Sequence, residues 1–91
     1  MSHIELNESE RAELIRKGNQ LFNSGKIKEA ARVFETVKYG DGLIRIANHY
    51  YKKKEMVQAI LYYKKAGYTK PIEALAPEII MVLKTWLDEG Q

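Results

Sequence analysis

Two stretches of this chain carry the same set of interacting side chains at the same spacing. Ile15, Arg16, Asn19, Phe22 and Asn23 recur twenty-nine residues later as Ile44, Arg45, Asn48, Tyr51 and Lys52. Offsets of i, i+1, i+4, i+7 and i+8 bring each set onto one face of a helix. The chemistry on that face is recognition, not reaction. Asn donates to and accepts from a peptide backbone at once, and Arg forks onto a carboxylate. Phe or Tyr adds apolar area at small entropic cost. Together they describe a groove for a protein segment or peptide, extended or helical, with acidic residues suited to the arginines. The competing reading is structural. In it the asparagines bond neighbouring carbonyls, the aromatics are partly core, and the arginines pair with Glu residues on adjacent helices at little gain.

Groups for covalent or metal chemistry are sparse. The chain has no cysteine, and His3 and His49 are its two histidines. Thiol catalysis, Cys-based zinc sites and a disulfide scaffold are thereby excluded. Neither a Gly-rich phosphate loop nor a paired-His spacing is present. The expectation is a protein that is not an enzyme and takes no cofactor or metal, with His49 a surface or packing residue.

The 91 residues carry 15 Lys+Arg against 12 Asp+Glu, a net charge of +3. That length sets an expectation of one small domain, and its 45 % apolar content that of a folded one. The positives gather in Lys52-Lys53-Lys54 and in Lys64, Lys65 and Lys70, while Glu5, Glu8, Glu10 and Glu13 make the start acidic. Nucleic-acid binding through Arg16, Arg45 and these lysines is an alternative, although no recognised motif accompanies them. Met-Ser-His-Ile-Glu has no basic region leading into an apolar stretch. The run Ile79–Leu83 is too short to span a bilayer. A cytoplasmic protein with no membrane contact is expected.

The elements that must position these residues are helical. Asn7 with Glu10 forms a capping-box pattern that opens a helix, and Leu14, Gly18 and Leu21 continue one buried stripe through about residue 23. Ser24-Gly25 ends it. A second helix is predicted over about 27–37, with Ala30, Val33, Phe34 and Val37 on one side, and Tyr39–Gly42 reads as a turn. Third and fourth helices are predicted over about 43–53 and 56–66, with Gly67 as a cap. A last helix follows Pro71. No convincing strand appears.

Shifting the chain by twenty-nine residues lays Leu14–Asn19 on Leu43–Asn48, Phe22 on Tyr51, Ile27 on Met56, Ala30 on Ala59, Phe34 on Tyr63 and Val37 on Ala66. Gly18/Ala47 and Ala30/Ala59 are small where helices must approach, and Phe34/Tyr63 fill the space beside them. Internal repetition of this kind marks stacked helical hairpins.

With Leu14, Gly18, Leu21, Ala30, Phe34 and Val37 in one copy and Leu43, Ile46, Ala47, Tyr50, Ala59, Tyr63, Ala66 and Pro71 in the next, the chain resembles the tetratricopeptide repeat (TPR) family over about residues 11–71. The resemblance implies an all-α, TPR-like stack of helical hairpins, an α-solenoid fragment of about five helices. The hairpins would span 8–37 and 42–67, and a capping helix 71–89, in a single domain. It also implies a non-enzymatic adaptor or chaperone-like module, binding a protein in the concave groove lined by the first helix of each hairpin. The family period is about 34 residues, so a spacing of twenty-nine implies a short second helix with a tight exit turn. Some members hold acidic C-termini in a carboxylate clamp. Asn19 matches its Asn, but Ile15 stands at the Lys expected one turn earlier and Arg45 at the second Asn, so clamp recognition is not implied.

The last helix has apolar residues around more than one face, including Ile79, Val82, Leu83, Trp86 and Leu87. A terminal capping helix needs a polar outer face. The excess predicts either a cover over both hairpins or a contact for docking or homo-oligomer formation, with Trp86 as anchor. The alternative function is then a structural subunit assembled through this helix.

Overall fold

Helix α1, Glu8–Asn23, opens on a reciprocal cap in the computed structural model, which describes residues 6–68 together with Lys70 and Met81. Asn7 Oδ1 accepts from the Glu10 N–H at 2.7 Å, and Glu10 Oε1 accepts from the Asn7 N–H at 3.1 Å. Two orphan donors of the first turn are thus satisfied, and Glu8 and Glu10 lie at the positive end of the helix dipole. Three further helices follow: α2 Ile27–Thr36, α3 Gly40–Lys52 and α4 Met56–Lys65. The described residues are all-helical, with no strand among them.

One kind of turn closes each of these four helices. Gly25, Lys38, Lys54 and Gly67 take left-handed φ values of 84°, 53°, 62° and 73°. Each donates its N–H three residues back, to Phe22, Glu35, Tyr51 and Lys64. The residue after it donates five residues back, to Leu21, Phe34, Tyr50 and Tyr63, each at 2.9 Å. This is the Schellman geometry, which satisfies the last carbonyls and reverses the chain in three residues. After α2 and α4 the motif brings its apolar contact as an aromatic pair. Tyr39 meets Phe34 at 5.6 Å between ring centroids, and Tyr68 meets Tyr63 at 6.0 Å.

The turn after α2 lies at Val37–Tyr39, not at the predicted Tyr39–Gly42, because Lys38 takes the left-handed position. Gly40 and Gly42 are therefore helical residues at the start of α3. Their role is packing: a Cβ on Gly42 would stand 2.6 Å from the Phe34 ring. A Cβ on Gly18 of α1 would meet the same ring at 2.5 Å. Phe34 lies fully buried in a slot between two glycines, one from each neighbouring helix.

Around that ring, Ala30, Ala31, Leu43 and Ile46 complete a buried cluster, flanked by half-buried Leu21, Phe22 and Ile27. A second cluster joins Ala47, Ala59 and Tyr63, with Ile44 half-buried against it. Consecutive helices pack in order, α1 on α2, α2 on α3 and α3 on α4, and α1 also touches α3. The short second helix and tight exit expected from the spacing are present: α2 and α4 have ten residues each. Of the expected last helix, only Met81 is described, helical and exposed. Ile79, Val82, Leu83, Trp86 and Leu87 lie outside the described residues.

Candidate functional site

Contact between α1 and α3 brings the two recurring stripes together. Arg45 crosses from α3 to α1, where its Nη1 donates to Asn19 Oδ1 at 2.8 Å. Its guanidinium also lies over the Phe22 ring, 5.6 Å from the centroid, where the negative face of the ring attracts it. Phe22 presents that ring edge-on to His49 at 6.1 Å, and His49 meets Tyr50 edge-on at 5.4 Å. His49 is thus a packing residue in an aromatic chain that runs from α1 into α3.

Asn48 has a different tie. The Tyr63 hydroxyl donates to its Oδ1, linking this face to the second buried cluster. Burial pushes the Tyr63 phenol above its ordinary pKa, and its neighbours Tyr51 and Tyr68 add to the shift. Tyr50 is raised as well, first by burial and then by Tyr62 and Glu55. A neutral phenol is the form that donates to Asn48.

The remaining stripe residues divide by exposure. Ile15 and Ile44 are half-buried, and Ile44 supports the second cluster. Asn23, Tyr51 and Lys52 face solvent at the end of the two helices, with Tyr51 44 % exposed. Arg16 does not reach an adjacent helix. It turns back to Glu13 on α1 at 2.9 Å, with both side chains exposed. The asparagine side-chain carbonyls are thus used inside the chain, and the amide Nδ2 groups of Asn19 and Asn48 have no acceptor among the described residues.

The sequence expectation missed the Arg45 bridge. Its one available signal was the recurrence itself, since a stack of equal repeats puts Arg45 of the second copy beside Asn19 of the first. Among the described residues no cluster of three His, Asp or Glu could hold a metal ion. No described helix is long and apolar enough to cross a membrane.

Among known proteins, the chain is similar to an uncharacterized protein of Treponema pallidum (strain Nichols), 47 % identical over 58 residues. The match covers 64 % of this chain and 56 % of that protein, so the chain spans little more than half the length of its relative. No family model matches the chain, and no solved structure matches it.

Proposed function

We propose that this chain is a non-enzymatic protein–protein interaction module of TPR-like architecture, an adaptor or chaperone-like unit of the cytoplasm. Its α1/α3 face binds a segment of another protein. The architecture is supported by a repeat of twenty-nine residues in which turn, small residue and aromatic recur together: Gly25 with Lys54, Lys38 with Gly67, Gly18 with Ala47 and Phe34 with Tyr63.

The observation that carries the functional reading is the Arg45 bridge. It holds Asn19 and Phe22 of one repeat against the matching face of the next. A surface ordered before its ligand arrives loses less entropy on binding. Tyr51, Lys52 and Asn23 then stand open beside it, offering an aromatic anchor, a cation and an amide. The partner that suits them is a protein segment with an acidic residue next to an apolar one.

Selection from a random-peptide display library against the full chain tests this reading. Selected peptides are expected to lose about tenfold in affinity, near 1.4 kcal/mol, on the double variant Tyr51→Ala with Lys52→Glu. Its far-UV circular dichroism should match wild type, because both side chains are exposed. Equal binding of every selected peptide to that variant would refute the α1/α3 face as the site.

A further inference from the structure

A second cleft opens between α2 and α4, away from every residue assigned above to the binding face. Lys28 and Arg32 stand one turn apart on α2, facing Gln58, Leu61, Tyr62 and Lys65 on α4 across a hollow of about 450 Å³. The cleft is crossed by one ion pair, Lys65 Nζ to Glu35 Oε1 at 2.9 Å. That bridge takes the carboxylate three residues on from Arg32, the spacing at which a helix ordinarily pairs opposite charges. Neither Lys28 nor Arg32 forms an ion pair among the described residues. Lys28 and Arg32 therefore line a hollow whose one carboxylate is already engaged by the third cation, Lys65.

The aromatic groups here favour a protein ligand over a nucleic acid. Tyr62 stacks on Tyr50 with ring planes 8° apart, and Lys65 sits 5.2 Å from the Tyr62 centroid. One face of each ring is thus covered by the other, whereas binding of single strands relies on open ring faces that accept bases. Leu61 and Gln58 add an apolar contact and an amide in place of further charge.

We propose that the α2/α4 cleft is a second docking site, for an acidic protein segment. Such a segment sets two carboxylates on Lys28 and Arg32 and an apolar side chain against Leu61 and Tyr62. Side chains one turn apart on a helix are about 5–6 Å apart at Cβ. Carboxylates at i and i+4 of a helical ligand match that spacing, as do alternate residues of an extended one. The proposal does not depend on the α1/α3 reading, because the two sites share no residue.

The test is a charge swap. A fluorescent amphipathic Glu/Leu peptide with glutamates at i and i+4, its Lys/Leu counterpart, and a single-stranded oligothymidylate are titrated onto the full chain. The chain is used as wild type, as Lys28→Glu with Arg32→Glu, and as the milder Lys28→Gln with Arg32→Gln. Circular dichroism confirms that each variant is folded.

The Glu/Leu peptide is expected to bind wild type, more weakly as salt rises. It should lose about tenfold or more on the Glu variant and less on the Gln variant. The Glu variant should instead bind the Lys/Leu peptide. Absence of wild-type binding, or equal binding to the Glu variant, overturns the proposal. So does oligothymidylate binding that exceeds peptide binding and disappears in the same variant. Loss on Tyr51→Ala with Lys52→Glu but not on the Glu variant overturns this site and supports the α1/α3 face.

Discussion

The two hairpins close the same approach between helices with different pairs. In the first, Gly18 and Phe34 meet with no atom to spare, and Gly42 of the next hairpin closes the other side of the ring. In the second, Ala47 and Tyr63 occupy the equivalent positions, so a methyl and a hydroxyl are added at the matching contact. The hydroxyl has somewhere to go: it reaches Asn48 on the α1/α3 face. The first core is thus sealed and wholly apolar at its centre, while the second is tied by a hydrogen bond to the surface proposed for binding. The contrast separates a hairpin whose central ring meets apolar neighbours alone from one whose ring is also tied to the surface proposed for binding.

Breaking the first slot should have the largest effect. Phe34→Ala is expected to cost about 3–5 kcal/mol, read as the fall in the urea midpoint, enough to unfold a domain of this size at modest temperature. Gly18→Ala and Gly42→Ala come next. Alanine gains about 1 kcal/mol of helix propensity over glycine, yet a methyl driven into the Phe34 ring costs about 1–3 kcal/mol. Both variants are expected to melt lower than wild type, and a higher melting temperature would show that the slot has slack.

Tyr63→Phe removes one hydrogen bond and should cost about 0.5–1.5 kcal/mol. It also changes the alkaline limb. The folded pKa of Tyr63 lies above the ordinary phenol value of about 10, so the folded chain holds that proton longer than the unfolded one. The associated stability is complete below pH 10 and is lost as pH rises through the raised value. The variant should therefore lose less stability than wild type between neutral pH and the alkaline range in parallel melts. The smallest effect is a gain. Lys38→Gly and Lys54→Gly relieve left-handed strain and should each add about 0.5–1 kcal/mol.

Those lysines also mark the limit of what was readable. Asn7 with Glu10, the 3.6-residue stripes, and Gly25 and Gly67 announce helix ends through local chemistry, and four described helices appear, although α3 starts at Gly40 and not near Leu43. Lysine carries no signal for the left-handed region, so the turn at Lys38 was hidden and the pair Gly40/Gly42 took its place. What glycine does at position 42 depends on Phe34, which is eight residues away and on another helix. The stripe residues were legible as a set, because they repeat. Their partners were not: whether Arg45 meets Asn19 or a glutamate depends on how α3 slides along α1, and no local pattern encodes that register. Arg16 shows the reverse, since its true partner Glu13 lies three residues away on its own helix.

The slot around Phe34 bears on how the chain folds as it is made. One wall comes from α1 and the other from α3, so an isolated α1–α2 hairpin would leave Phe34, the largest fully buried side chain among the described residues, open to water on one side. The smallest cooperative unit is then the three helices spanning 8–52, and a fragment stopping at Thr36 should stay largely unstructured. During synthesis the first hairpin would wait for the start of the second before it locks. Its contacts remain close in sequence, which favours rapid completion once Gly42 has emerged.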